Sequence, residues 1–314
     1  MRIVALVPGG IGDQILFFPT LETLKRSYPD AEIDVVVELR AKAAYRLSRS
    51  VNDVLTYDYK ERNSPADWAN LLGVMRDRYY TAALYTGKGW GIELLLWLTG
   101  IPTRIGYANS TGKMFLTTAV PVKTSQYQAE TYHDLLQGLG ITAPPPPLAL
   151  SLPKTDLDWA EGEQKRLNVK GSGYVLIHDS SPGSKDAYPI DRWQTIIQSF
   201  RQQQPDLPLV VAQTSEDSGW VAALAQTFPD LKVAKTADLG KLAALIAGAN
   251  LMLCTEGGAM QIAVALQVYT LALFGAAAPV KLLPTSDKFA AIASPTGKLA
   301  DISPEQVLAK VWGT

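Results

Sequence analysis

Leu6-Val7-Pro8-Gly9-Gly10-Ile11-Gly12-Asp13-Gln14-Ile15-Leu16-Phe17-Phe18-Pro19 is the stretch that decides the fold. Residues 3–7 are aliphatic and read as a short buried strand, and residues 14–27 read as a helix. A glycine turn between a buried strand and a helix is the repeating corner of an open α/β sheet, and such sheets bind ligands beyond the carboxyl ends of their strands. Gly9, Gly10 and Gly12 let the chain turn tightly and let a ligand approach the backbone. Asp13 then stands at the start of the helix, directed at that edge. A second reading is also open: Asp13 only caps the helix. A dinucleotide fingerprint fits poorly, because G-x-G-x-x-G requires glycine where Ile15 stands, although Glu38 is placed where a ribose-binding acid would be.

Working outward, strand and helix alternate. Residues 33–37, 53–57, 82–85 and 104–107 read as strands, and 41–49, 65–77, 92–99 and 126–139 as helices. Gly140 and the run Pro144-Pro145-Pro146-Pro147 stop the pattern, because four prolines form a stiff extended spacer. The theme then resumes with strands at 174–178, 209–212, 232–234, 250–254 and 270–274. The matching helices are 192–203, 218–227, 239–248, 258–266 and 304–311. Alternation with short loops implies parallel sheets with right-handed crossovers. The expected division is a first α/β domain over 1–142, a proline-rich link over 143–170, a second α/β domain over 171–302 and a final helix over 303–314. Two such domains enclose a cleft, a common ligand site.

Composition narrows the classes. The 314 residues carry 29 Lys+Arg against 30 Asp+Glu, a net charge of −1, so no global field draws the chain to nucleic acid or to anionic lipid. No apolar run has the length of a membrane span, and the N-terminus lacks the pattern of a signal peptide. One cysteine, Cys254, and two histidines, His133 and His178, offer no metal-ligand cluster. Cys254 reads as a buried small hydrophobe, and both histidines read as hydrogen-bonded structural residues. The expected setting is a reducing cytoplasm.

Two further loops have chemical character. In Cys254-Thr255-Glu256-Gly257-Gly258-Ala259-Met260-Gln261, a strand gives way to a helix through two glycines. The amides at such a helix start suit an anion, and the Glu256 carboxylate can accept from sugar hydroxyls. The bland alternative is a turn with a capping Thr255 and Glu256. In His178-Asp179-Ser180-Ser181-Pro182-Gly183-Ser184-Lys185-Asp186-Ala187-Tyr188-Pro189, small donors and one lysine suit a phosphate; alternatively, the serines bond their own backbone.

Together these loops resemble glycosyltransferase family 9, which contains the ADP-heptose:lipopolysaccharide heptosyltransferases. The resemblance rests on Gly12-Asp13, Pro19, Leu24-Lys25 and Tyr28-Pro29, on Arg104-Ile105-Gly106, and on residues 242–249 leading into the glycine turn. It continues through Met260, Ala263, Ala265-Leu266 and Leu273-Phe274-Gly275. It implies a GT-B fold, two Rossmann-like domains facing across a cleft, the first for the acceptor and the second for the nucleotide-sugar. It implies Asp13 as general base of an inverting, metal-independent transfer. Lys185, with Ser184 beside it, and the Gly257–Gly258 amides would hold the diphosphate. Glu256 and Gln261 would face the donor, and Gly9, Gly10 and Gly12 would form the acceptor-side loop.

The departures lie on the donor side. The family pattern D-S/T-G-x-x-H becomes Glu256-Gly257-Gly258-Ala259-Met260-Gln261. K-x-W-P becomes Lys185-Asp186-Ala187-Tyr188-Pro189, with the lysine one residue early. Gln261 cannot titrate as histidine does. The implied partners are a nucleotide-diphosphate sugar, as substrate rather than cofactor, and a glycan or lipid-linked acceptor. The alternative is a non-catalytic GT-B binding protein with a degenerate donor site. A lipid-linked acceptor would bring the chain to the inner face of a membrane. Residues 89–98, with two tryptophans, then read either as a peripheral contact or as a buried helix.

Overall fold

The strands form where aliphatic runs are buried on both faces, as parallel sheets between helices require. β1 (Arg2–Val7) is inaccessible to water from Ile3 onward, and β2 (Glu32–Val37) is buried from Ile33. A computed structural model of the chain describes residues 1–60, 64–123, 125–180, 186–214 and 218–313. It divides into two compact units, Met1–Ala149 and the chain from Leu150 onward.

In the first unit β1 and β2 are joined by β3 (Asp53–Thr56), β4 (Ala82–Tyr85), β5 (Thr103–Tyr107) and β6 (Thr118–Val120). The sheet order is β3-β2-β1-β4-β5-β6, and the described pairings are parallel. The second unit is built from β7 (Val175–His178), β8 (Leu209–Gln213), β9 (Lys232–Lys235), β10 (Leu251–Thr255), β11 (Tyr269–Phe274) and β12 (Phe289–Ala293), in the order β12-β11-β10-β7-β8-β9. Counted from its own first strand, each sheet runs 3-2-1-4-5-6, the Rossmann order. The chain lays strands toward one edge, then returns to the middle and continues toward the other. The reversal opens a crevice beside the first strand of each sheet, between β1 and β4 and between β7 and β10. These are the two Rossmann-like domains of the GT-B class.

Each unit has its own core. In the first, Val4, Leu6, Ala83 and Tyr85 of the sheet meet Leu71, Met75, Leu95 and Leu96 from the helices Pro65–Asp77 and Trp90–Thr99. In the second, Ile177, Val211 and Leu253 meet Trp193, Ile197 and Phe200 from the helix Ile190–Gln203.

The structure corrects several local expectations. Residues 41–49 read as a helix, and Leu39–Leu47 is a 3₁₀ helix whose buried residues are Ala41, Ala44, Tyr45 and Leu47, with Ala41, Ala44 and Leu47 at its three-residue spacing. The expected helix 126–139 is a short α-helix, Gln128–Asp134, continued by the 3₁₀ helix Leu135–Leu139. Within the stretch read as a link, Lys154–Arg166 is a helix. It is charged nearly all round, so it shows no apolar stripe. Ion pairs Glu161–Lys165 and Glu163–Arg166 lie along it, and it rests on the helix Leu239–Ala247. The edge strands β6 and β12 do not read as strands in the sequence: β6 has only three residues, and β12, Phe289–Ala293, is mostly alanine, a weak strand former, and is only partly buried.

Candidate functional site

In the first unit the turn from β1 to the helix Ile11–Ser27 stands at the crevice. Gly9 has φ +114°, in the region that favours glycine, and a methyl group there would lie 2.3 Å from Asp13 Oδ2. Gly10 is the N-cap, and its N–H donates to Asp13 Oδ2 at 2.9 Å. The capping role weighed for Asp13 is therefore realised through one carboxylate oxygen. The other oxygen, Oδ1, accepts from the Tyr132 hydroxyl at 3.2 Å. Asp13 is half-buried. Burial pushes its carboxyl above the ordinary range, while the Gly10 amide, the Tyr132 hydroxyl and the Arg40 charge pull the other way.

Surrounding residues hold this turn in place. The Gly9 N–H donates to Glu38 Oε1 at 3.2 Å, and Arg40 Nε donates to Glu38 Oε2 at 2.7 Å. Glu38 thus braces the glycine turn. Behind Asp13, the buried Gln14 amide donates to the Val7 carbonyl at 3.0 Å and accepts from Tyr45 at 2.8 Å. Tyr132 lies on the helix Gln128–Asp134, its ring edge-to-face with Phe17 at 5.9 Å. Tyr132 and Arg40 are the residues that sequence reading missed. Arg40 has no motif around it, and Tyr132 lies 119 positions from Asp13; the recurrent apolar positions of its helix were the only local signal. His133 on the same helix pairs through Nε2 with Thr23 Oγ1 at 3.0 Å.

In the second unit the loops after β7 and β10 meet, because those strands are neighbours with His178 opposite Cys254. Thr255 Oγ1 accepts from the Ser180 N–H at 2.8 Å and donates to Asp179 Oδ1 at 3.2 Å; Asp179 Oδ2 takes the Trp193 indole N–H at 3.1 Å. Gly257, at φ +152°, is the N-cap of the helix Gly258–Ala265. A methyl there would lie 2.6 Å from Ser180 Cβ. The first amides of that helix lack acceptors within it and present partial positive charge. Glu256 Oε1 accepts from the Gly275 N–H at 2.9 Å, which ties the turn to the end of β11. Gln261 is buried, and its amide donates to the Leu282 carbonyl at 2.8 Å. The structure therefore brings Glu256, Gly257 and Gly258 together with Asp179 and Ser180 and turns Gln261 inward. Ser184 and Lys185 lie outside the described residues. Tyr188, in the tryptophan position of the family pattern, is buried edge-to-face on Trp193 at 5.1 Å. Cys254 is buried in β10, and burial pushes its thiol up. Among the described residues no cluster of histidine, cysteine or acidic side chains could hold a metal ion.

Comparison with known proteins agrees with this architecture. A family model described as glycosyltransferase family 9 (heptosyltransferase) matches residues 68–311. The photosynthetic NDH subunit of subcomplex B 1, chloroplastic, of Arabidopsis thaliana is 25% identical, over 96% of this chain and 71% of its own. Lipopolysaccharide heptosyltransferase 3 of Escherichia coli is 22% identical, over 84% of this chain and 81% of its own. The solved structure of E. coli heptosyltransferase WaaC with ADP-2-deoxy-2-fluoro heptose superposes with a TM-score of 0.78 at 16% identity, covering 100% of this chain and 99% of that one. With its two Rossmann-like units and a match over most of its length, the chain belongs to glycosyltransferase family 9.

Proposed function

We propose that this protein is an inverting, metal-independent glycosyltransferase that moves a sugar from a nucleotide-diphosphate donor to a hydroxyl of a glycan or glycolipid. The observation that carries the reading is Asp13: a half-buried carboxylate with a raised pKa, oriented through both oxygens at the crevice end of β1. A general base works best when its pKa approaches the working pH. In the proposed step the acceptor oxygen attacks the anomeric carbon and its proton passes to Asp13. The bond from that carbon to the diphosphate oxygen breaks, and its electron pair leaves with the diphosphate. One displacement inverts the centre. The amides from Gly257 and Gly258, with Lys185, are assigned to the charge of the leaving group. Support for the donor class comes from the ADP-sugar analogue in the WaaC complex, and support for a lipopolysaccharide-like acceptor from the name of the E. coli relative.

A second reading is a non-catalytic binding role. It is favoured by the chloroplast NDH-subunit relative and by a donor turn whose Glu256 carboxylate accepts from Gly275 and whose Gln261 is buried. Asp13→Asn separates the two. With a matched donor and acceptor, the transferase reading expects turnover to fall by about 10²–10⁴ while nucleotide-sugar binding persists. Near-wild-type turnover in Asp13→Asn removes the assigned base. Wild-type protein that binds no nucleotide-sugar from a panel of ADP-, GDP-, UDP- and TDP-sugars selects the binding role.

A further inference from the structure

The helix Trp90–Thr99 has one conventional face and one that is not. Ile92, Glu93, Leu95 and Leu96 are buried against the first unit. Trp90, Leu94, Trp97 and Leu98 recur at i, i+4, i+7 and i+8 and form a single stripe on the other side. That stripe faces outward: Trp90 is 60% exposed and Trp97 51%, and Leu98 is exposed as well. The adjoining 3₁₀ turn Lys113–Phe115 extends it. A methyl on Gly112 would lie 2.7 Å from Trp90 Cα, and the Phe115 ring centres 6.0 Å from that of Trp97, so the turn lies along the helix. It adds Met114, 81% exposed. Solitary exposed apolar residues are ordinary, but a contiguous patch with two tryptophans marks an interaction surface.

The charges around the stripe indicate its partner. Between Thr86 and Thr118 the only acid in the sequence is Glu93, which is buried, whereas Lys88, Lys113 and Arg104 supply three cations. The helix Pro65–Asp77 packed alongside adds the exposed acids Asp67, which is bonded to Ser64, and Asp77, its last residue. Lys88 and Lys113 are exposed, one just before the helix and one beside Met114. An apolar stripe bordered by cations complements a surface that is anionic outside and hydrocarbon beneath. Tryptophan favours that boundary, where its ring enters the apolar layer and its N–H stays with the headgroups. A helix of ten residues, about 15 Å long, is too short to cross a bilayer and must lie in its surface.

We infer that the face formed by Trp90, Trp97, Leu98 and Met114, bordered by Lys88 and Lys113, docks this protein on an anionic phospholipid surface. This inference needs no sugar transfer, so its test stands apart from that of the catalytic reading. The 314-residue chain is sedimented with vesicles of phosphatidylcholine alone and of phosphatidylcholine mixed with phosphatidylglycerol. Binding to the mixed vesicles is expected. The Trp90→Gln/Trp97→Gln pair should lower partitioning by about tenfold or more. Lys113→Gln should lower it by about fivefold on the mixed vesicles and leave neutral vesicles unaffected. Circular dichroism checks the fold of each variant; if the tryptophan pair does not fold, Met114→Gln, at the most exposed position, replaces it. Absence of wild-type binding to anionic vesicles, or binding that all these variants leave unchanged, overturns the inference. So does a wild-type dimer in light scattering that the tryptophan variants make monomeric, because the face would then be occupied by a second copy.

Discussion

Asp13 caps a helix and, under the proposed function, also serves as the base, and its surroundings make the two roles separable. Its carboxyl is raised by burial, so it favours the folded state when protonated. That contribution is complete below the ordinary aspartate pKa and is lost as pH rises through the raised folded value. Asp13→Asn, whose side-chain oxygen can still accept from Gly10, should therefore raise the melting temperature at neutral pH. The gain over wild type should shrink as pH falls toward about 4, in thermal melts across that range. Greater stability with lost turnover is the pattern of a functional residue. Tyr132 acts on the same group, since its hydroxyl favours the ionised carboxylate. Tyr132→Phe should move the acidic limb of the kcat/KM profile to higher pH, with the deficit closing as pH rises. An equal loss at every pH would assign Tyr132 to packing alone.

At the scale of elements, the two glycine turns differ from the glycines inside helices. Gly257 combines φ +152° with contact distance to Ser180, so Gly257→Ala should cost about 1–3 kcal/mol in denaturant unfolding. It should also weaken nucleotide-sugar binding, because the loops after β7 and β10 would have to separate. Gly73, exposed in the middle of the helix Pro65–Asp77, has open space around the position of a Cβ. Gly73→Ala should stabilise by about 0.5–1 kcal/mol and leave any activity intact. The same contrast explains which elements could be read from the chain. β1 carries the unbroken aliphatic run 3–7, β2 has the valine run 35–37 and β10 the apolar run 251–254, and the helix Ile190–Gln203 has a clear apolar stripe. The helix Lys154–Arg166 has no such stripe, and β6, of three residues, is too short for a period. Both depend on neighbours that a local pattern does not contain.

At the scale of the whole molecule, two units carry one strand order, and each places its glycine turns beside its first strand. Among the described residues no helix is long and apolar enough to cross a membrane. If the second unit holds a nucleotide-sugar, a matched donor at about 100 times its dissociation constant should stabilise the protein by about 2.7 kcal/mol in a thermal titration. Donors with the wrong base should produce smaller shifts. A flat response across the panel would favour the non-catalytic reading, and Gly257→Ala should diminish a positive one.

The amino-acid sequence by itself determined the α/β class, most strands and the glycine turns that carry Asp13 and Glu256. These follow from short-range rules: burial imposes aliphatic runs, tight turns demand glycine, and parallel strands need a crossover. Tertiary structure alone decided what each turn touches. It placed Tyr132 on Asp13 and Glu38 on Gly9, bound Glu256 to Gly275, turned Gln261 toward Leu282, and left Trp90 and Trp97 facing outward. Those contacts join residues far apart in the chain or depend on which helix face a neighbour covers. A local period shows that a helix has an apolar face, and only packing determines whether that face is buried.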